Sequence, residues 1–127
     1  MFETLDLTKM ARAMAAQAGA RLGVIARNVA QADTPGYKAM DLPDFATSYQ
    51  AASSGEMRAT RPGHVSAAGK MLEPVLQPSG GEASPDGNTV SLAREMVKSV
   101  DARQQHDMAL SVYRATSEIV RTSLGRR

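Results

Sequence analysis

The chain has 127 residues, of which 43% are hydrophobic and only 4% aromatic, and its formal net charge is +2. A chain of this length forms at most one domain, and the absence of cysteine excludes disulfides and thiolate metal sites. Residues 1–32 and 90–127 carry net charges of +2 and +3, and residues 33–89 carry −3. This asymmetry is too mild for a nucleic-acid-binding arm. No stretch approaches the roughly 18 apolar residues of a membrane span, and we expect no cleaved secretion signal, since no basic segment precedes an apolar run at the start.

The first segment is predicted to be an amphipathic helix that starts between Leu5 and Thr8 and ends at Ala32. Its apolar residues recur at the three- and four-residue intervals of a helix with a period of about 3.6. They are Leu7, Ala11, Met14, Ala18, Leu22, Ile25, Val29 and Ala32. A neighbouring row of small residues comprises Ala11, Ala15, Gly19 and Gly23. That row either consists of tolerated small residues on an ordinary helix or permits close packing against a neighbour.

A stop signal follows in the sequence Asp33-Thr34-Pro35-Gly36. A residue before proline is pushed out of the helical region, so the helix has to end ahead of Pro35. Proline fixes φ at the second position of a turn, and Gly36 offers the positive φ that a type II turn requires. Tyr37 then brings a large apolar ring with a polar tip to the exit. It either packs back on the helix at a simple hinge or has a role of its own.

Residues 33–89 form a middle segment with no sustained apolar period, and they contain all six prolines. The run from Gln77 to Asn88 has the composition of a flexible loop. The stretch from His64 to Gln77 favours at most one or two short strands. We therefore expect an extended, loop-rich segment that takes its order from neighbouring molecules.

The last segment, residues 90–127, is predicted to contain one helix from Leu92 to Leu124. Ser91 is the expected N-cap, because its hydroxyl can accept a free amide of the first turn, and Gly125 is the expected end. A first apolar row, interrupted only by a glutamine, runs through Ala93, Val97, Val100, Gln104, Met108, Val112, Ala115 and Ile119. A second row runs through Leu92, Met96, Leu110, Tyr113, Val120 and Leu124.

The predicted fold is mainly α, with the two terminal helices (residues 1–32 and 90–127) paired as an antiparallel coiled coil in one domain. One helix covers about a single seam of its partner, so the second row on the last helix needs another molecule. The residues that we assign to the pairing of the two helices are Leu7, Met14, Leu22, Ile25, Val29, Val97, Val100, Met108, Val112 and Ile119. The residues that we assign to contacts with neighbouring subunits are Leu92, Met96, Leu110, Tyr113, Val120 and Leu124.

The sequence carries no pattern of a catalytic, metal or cofactor site. The two histidines, His64 and His106, are far apart, and no carboxylates stand near them at metal-ligand spacing. A serine nucleophile elbow and a phosphate-binding loop are both absent. The Asp86-Gly87-Asn88 sequence is similar to the start of a calcium loop, but Ser91 and Val97 stand where such a loop has glycine and glutamate, so we interpret it as a turn. We expect no enzyme activity and no cofactor.

The stretch from Asn28 to Asp41, NVAQADTPGYKAMD, resembles the signature of the bacterial flagellar axial proteins, an N-terminal helix that ends in N-[LIV]-A-N-x-[DN]-T-P-G-[YF]. The matching residues are Asn28, Ala30, Asp33, Thr34, Pro35, Gly36 and Tyr37, and Gln31 departs from the usual second asparagine. Residues 86–113 resemble the region entering the C-terminal helix in the FlgB family of basal-body rod proteins. Residues 60–66 are similar to a short histidine motif of that family. The sister FlgC family is the nearest alternative.

The resemblance implies a structural subunit of the proximal rod, part of the drive shaft for motility, that assembles helically through its terminal helices. Such subunits are exported uncleaved by the flagellar type III apparatus and function in the periplasm. The implied partners are other rod subunits, copies of the same chain, the inner-membrane ring and export-apparatus components, without nucleic acid or a small-molecule substrate. A small cytoplasmic helical adaptor or regulator is the alternative outside this family.

Overall fold

The protein is mainly helical, and its long terminal helices confirm the predicted fold class in outline. The computed structural model describes residues 2–54 and 75–125. Its elements, in chain order, are α1 (Phe2–Ala30), β1 (Met40–Asp41), α2 (Phe45–Ser54), β2 (Gln77–Pro78) and α3 (Leu92–Ser123). Within the described residues, no helix is long and apolar enough to cross a membrane.

The terminal helices begin and end close to where the sequence predicts. α1 starts earlier than expected, at Phe2, and ends at Ala30 instead of Ala32. α3 ends one residue before the predicted position, and Gly125 follows with a φ of 70°, which confirms it as the terminating glycine. Ser91 stands at the N-cap, but its side chain makes no capping hydrogen bond. Its carbonyl instead accepts the Glu95 amide at 2.9 Å.

α1 and α3 pack against each other along a seam of mostly small side chains. The buried residues of α1 include Ala11, Ala18 and Ile25, and those of α3 are Glu95, Ala102, Ala109 and Thr116. Successive members are seven residues apart, or about two helical turns. Each row therefore lies on one face of its helix, and its small side chains leave room for close approach of the two backbones.

The contacts run in opposite directions along the two helices. Asn28, near the end of α1, contacts Glu95, near the start of α3. At the other end, Ala11 and Ala15 of α1 line a groove of about 280 Å³ with Leu110 and Tyr113 of α3.

The predicted assignment of large apolar residues to this seam was wrong for α3. Val97, Val100, Met108 and Ile119 are 62%, 64%, 51% and 59% exposed, and Val112 is half-buried. On α1, Ile25 is buried, Met14 and Leu22 are half-buried, and Leu7 and Val29 are exposed. Periodicity identifies apolar faces but does not say which one meets the partner helix, and here the alanine face does.

The second predicted row also divides differently from the expectation. Leu110 and Tyr113, assigned to neighbouring subunits, are half-buried beside α1 and line the groove with Arg12. Val120 is half-buried as well. The exposed members of the row are Leu92, Met96 and Leu124.

The middle segment contains a ten-residue helix, α2. The sequence analysis did not predict it, because this segment has no sustained apolar period. The Ser48 amide closes its first turn on the Asp44 carbonyl at 3.0 Å. The rings of Phe45 and Tyr49, about one turn apart, contact each other with their centroids at 5.3 Å and their planes tilted by 33°. A two-stranded antiparallel sheet pairs Met40 with Pro78 and Asp41 with Gln77. Of the stretch where short strands were expected, only Val75, Leu76 and Gln77 lie among the described residues.

Within residues 2–54 and 75–125, the two glycines of α1 do not serve close packing. A methyl group added at Gly19 or Gly23 would meet none of these residues within 4 Å, and both glycines are exposed. Of the two interpretations of the small-residue row, the structure supports tolerated small residues at these two positions.

Candidate functional site

The flagellar-type motif begins with Asn28, which is fully buried in the last turn of α1. Its Nδ2 donates to the Met40 carbonyl at 2.7 Å and to Oε2 of Glu95 at 2.9 Å. Its Oδ1 accepts the Met40 amide at 3.2 Å and the Tyr37 hydroxyl at 3.3 Å. The side chain thus uses two donor and two acceptor bonds to join α1, β1 and α3.

The stop after α1 is the predicted turn, and the structure shows what the tyrosine does. Gly36 has a φ of 73°, and the Tyr37 amide donates to the Thr34 carbonyl at 3.3 Å. These values confirm a turn that needs glycine at its third position. The Tyr37 ring is half-buried and its hydroxyl returns to Asn28 in α1. The turn and the helix end are therefore held together by the motif itself.

Asn88 binds the end of α1 from the far side of the sequence. Its Nδ2 lies 3.0, 2.7 and 2.9 Å from the carbonyl oxygens of Gln31, Ala32 and Thr34. Its Oδ1 accepts the Val90 amide at 2.8 Å, and only 2% of the residue is exposed. The carbonyls after a helix end have no partner within the helix. Asn88 supplies a partner to the Ala32 carbonyl and a second one to the Gln31 and Thr34 carbonyls, which also accept the Thr34 and Tyr37 amides.

Backbone bonds join the turn to the loop that carries Asn88. The Gly36 amide donates to the Asp86 carbonyl at 3.0 Å, and the Thr89 amide donates to the Tyr37 carbonyl at 3.0 Å. The Thr89 hydroxyl accepts the Ala39 amide at 2.8 Å. We call residues 34–40 and 86–90, together with Asn28, the junction clamp.

The interpretation of Asp86-Gly87-Asn88 as a turn is confirmed. Gly87 has a φ of 81° and donates its amide to the Ser84 carbonyl at 2.8 Å. The Asp86 carboxylate accepts the Asn88 amide at 3.1 Å. Among the described residues, no group of three or more histidine, aspartate and glutamate side chains could hold a metal ion.

A chain of charged side chains continues from the clamp along the seam. Arg21 on α1 donates to both oxygens of Asp41 at 3.0 and 3.3 Å. Lys98 on α3 lies 2.9 Å from Asp41 and 3.2 Å from the buried Glu95, and donates to the Ser79 hydroxyl at 2.6 Å. The network ties α1, β1, the segment after β2 and α3 into one unit.

Asp41 is the centre of this network. Burial alone would raise the pKa of Asp41, but hydrogen bonds from Arg21, Lys98 and the Leu42 amide outweigh it, so the pKa lies below its ordinary value of 3.8. The carboxylate therefore stays charged at neutral pH.

The other motif residues contribute less through their side chains. Ala30, Asp33, Thr34 and Pro35 are exposed. Gln31, the departure from the motif, accepts a hydrogen bond from the Thr34 hydroxyl at 2.6 Å and so takes part in the turn. His106 is about one-third exposed next to Asp107, and His64 lies outside the described residues.

Sequence reasoning missed five residues of the clamp and its network: Arg21, Asp41, Asn88, Glu95 and Lys98. Only Asn88 had a local signal, since it follows Asp-Gly in a turn sequence. The others are charged residues of ordinary appearance, and their roles depend on contacts between distant segments.

The second feature of the site is an uncovered apolar surface on α3, on the side away from α1. Met96, Val97 and Val100 are 67%, 62% and 64% exposed, and Met108 continues the surface. We call Met96, Val97, Val100 and Met108 the outer face of α3. Contiguous exposed apolar residues of this kind mark sites of protein contact.

No protein-family model matches the chain. The chain is similar to the flagellar basal body rod protein FlgB of Agrobacterium fabrum (strain C58 / ATCC 33970). The two are 31% identical over 120 residues, which cover 89% of this chain and 88% of that protein.

The two long helices and the clamped Thr-Pro-Gly-Tyr turn agree with the helix and turn that the resemblance to the flagellar axial proteins implies. With the similarity extending over most of both sequences, the chain belongs to the family of the flagellar basal body rod protein FlgB.

Proposed function

We propose that the chain is a non-enzymatic structural subunit of the proximal rod of the bacterial flagellar basal body, where it assembles helically as part of the drive shaft for motility. The similarity to a flagellar basal body rod protein over 89% of the chain supports this role. It needs no cofactor, small-molecule substrate or nucleic acid. Its site of action is the periplasmic rod, which it reaches through the flagellar type III apparatus without cleavage.

Within the subunit, residues 1–32 and 90–127 form one domain with the terminal helices as an antiparallel coiled coil, and residues 33–89 connect them. The reversed order of the contacts Asn28–Glu95 and Ala11–Leu110 supports this pairing. The junction clamp is internally satisfied, so we assign it the task of fixing the angle at which the chain leaves α1.

The observation that carries the assembly role is the exposure of the outer face. Along α3 the seam toward α1 is made of alanine, threonine and glutamate, while valine and methionine face outward. Large apolar side chains normally lie inside a protein. The inverted pattern is explained if neighbouring rod subunits, including copies of this chain, cover the outer face.

The exposed residues Leu92 and Leu124 extend the same role to both ends of α3. Further partners in this proposal are the inner-membrane ring and the export apparatus, which adjoin the proximal rod. Leu110, Tyr113 and Val120 are half-buried, and in this proposal their exposed parts contact neighbouring subunits.

The test uses Val100→Asp in cells that lack the wild-type gene. Because Val100 is 64% exposed in the single chain, we expect the monomeric variant to keep the wild-type free energy of unfolding within about 0.5 kcal/mol. A carboxylate buried between subunits is strongly unfavourable, so purified basal bodies should lack the variant and the cells should not swim.

The matched control is Val100→Thr, which keeps the branched shape without a charge and should be incorporated. Normal incorporation and swimming with Val100→Asp would contradict the assembly role of the outer face. Wild-type chain found only in the cytosol, and never in basal bodies, would contradict the rod function itself.

A further inference from the structure

The outer face of α3 carries a charge pattern that is complementary to itself. Arg94 and Asp101 lie seven residues apart, about two helical turns, and so share one edge of the face. Both are exposed, and neither forms an ion pair with another residue in the described part of the chain. Val97 lies near the midpoint between them and is 62% exposed.

We infer that two copies of the free chain pair through this face, with their α3 helices antiparallel and a twofold axis near Val97. Arg94 of each copy then faces Asp101 of the other copy. Met96 and Val100 lie on either side of the axis, so Met96 of one copy lies near Val100 of the other copy. Such an isologous contact uses the same patch on both subunits, as a closed dimer requires.

The charges select the antiparallel arrangement over a parallel one. In a parallel, in-register pair, Arg94 would face Arg94 and Asp101 would face Asp101, and both contacts would be repulsive. In the antiparallel pair both contacts are attractive, and the helix dipoles also oppose each other favourably. The apolar residues between the charges supply the contact area in either case, so charge decides the direction.

The patch is short, because the residues from Ala93 to Gln104 span only about 17 Å of helix at ~1.5 Å per residue. Small interfaces form weak, reversible pairs. The pair covers the residues that the rod contact would use, and it thereby shields the outer face of a free subunit until a stronger rod contact replaces it. This shielding rests on the proposed rod function, whereas the pairing itself does not.

A single cysteine tests the geometry, because the chain has no cysteine of its own. Val97→Cys places one thiol near the proposed axis, and mild oxidation of the purified chain should give a disulfide-linked dimer. The control is Ala115→Cys, since Ala115 is exposed and lies 18 residues, about five turns, further along the same side of α3. The antiparallel pair separates the two Ala115 positions by tens of ångströms, so this variant should not cross-link.

A parallel pair would cross-link both variants, and a monomer would cross-link neither, so either result overturns the inference. Charge reversal gives a second measurement by sedimentation equilibrium. Arg94→Asp and Asp101→Arg should each weaken dimerisation by roughly tenfold, since each turns two attractions into two repulsions. The double variant Arg94→Asp/Asp101→Arg should restore the wild-type dimerisation constant.

A double variant as weak as the single ones would overturn the proposed pairing. The result is separable from the rod function. If the free chain is monomeric at every concentration but is incorporated into rods, the pairing is wrong and the rod function stands. If the chain dimerises but is absent from basal bodies, the pairing stands and the rod function is wrong.

Discussion

Asn28 and Glu95 meet across the two terminal helices, with the amide Nδ2 of Asn28 only 2.9 Å from Oε2 of Glu95. Both side chains are almost completely buried, with 0% and 2% of each residue exposed. A buried carboxylate is tolerated only with hydrogen-bond donors around it, and here Asn28 and Lys98 supply them. Formation of the motif is thereby coupled to the docking of α3.

The first prediction is that Asn28→Asp lowers the free energy of unfolding by roughly 3 kcal/mol or more. The variant has nearly the same shape, but it replaces the donor beside Glu95 by a second carboxylate and removes the donor to the Met40 carbonyl. Urea unfolding at neutral pH measures the change. The control Gln104→Glu makes the same amide-to-acid change at an exposed position, and we expect it to stay within about 0.5 kcal/mol of wild type.

The second prediction concerns Asn88, which belongs to the 86–90 segment of the junction clamp. Asn88→Ala removes the donor to three carbonyl groups at the end of α1 and the acceptor for Val90, so we expect a loss of about 2–3 kcal/mol. Hydrogen exchange should also become faster at the Gly36 and Thr89 amides, which bridge the two segments. Ser84→Ala, in the same loop but exposed, should leave both measurements unchanged. Unchanged exchange in Asn88→Ala would show that the backbone bonds alone hold the junction.

The third prediction is that the same type of substitution, glycine to alanine, has opposite effects on stability at two positions. Gly36→Ala places a side chain at a φ of 73° and should destabilise the protein by about 1–2 kcal/mol, although no atom of the described part of the chain lies within 4 Å of the added methyl group. Gly23→Ala, in the exposed helical part of α1, should stabilise it by up to about 1 kcal/mol. The two unfolding curves should move to opposite sides of wild type. A shift of both in the same direction would contradict the conformational reason.

The fourth prediction is a pH dependence centred on Asp41. Because the pKa of Asp41 is lower in the folded chain than its ordinary value of 3.8, its charge stabilises the fold above that value, and the stabilisation is lost as pH falls through the folded pKa. The free energy of unfolding should therefore be higher for wild type than for Asp41→Asn at neutral pH. This difference should shrink below about pH 4. Glu118→Gln, at an exposed position of α3 outside the proposed dimer patch, should show no such convergence.

The fifth prediction separates the groove from the outer face. Leu110 lines the groove against α1, whereas Val100 is 64% exposed. Leu110→Asp should lower the stability of the isolated chain by about 2 kcal/mol, since it places a charge against the partner helix. Val100→Asp should change it by less than about 0.5 kcal/mol at concentrations where the chain is monomeric. Equal effects on thermal unfolding would mean that the outer face is also covered within the chain.

The sequence alone predicted the elements whose signals are local. The 3.6-residue apolar period located α3 to within one residue, whereas α1 starts at least three residues earlier and ends two residues earlier than predicted. The fixed φ of Pro35 and the freedom of Gly36 to take a positive φ predicted the turn after α1. Gly125 ended α3 for the same kind of reason, a backbone conformation that glycine adopts freely. The sequence did not predict α2, because ten residues of mixed polarity show too weak an apolar period.

Only the tertiary structure decided which surfaces meet. A helix with apolar residues on two sides shows the same periodicity whichever side packs inside. In α3 the side with Ala102 and Ala109 packs against α1, because its small side chains allow the closer approach of the two helices. Asn28 and Glu95 form a hydrogen bond although they are 67 positions apart in the sequence. Asn88 and Thr34, which follows the end of α1, are 54 positions apart. Hydrogen bonds at such separations leave no periodic trace in the sequence, because only the folded chain brings their donors and acceptors within 3 Å.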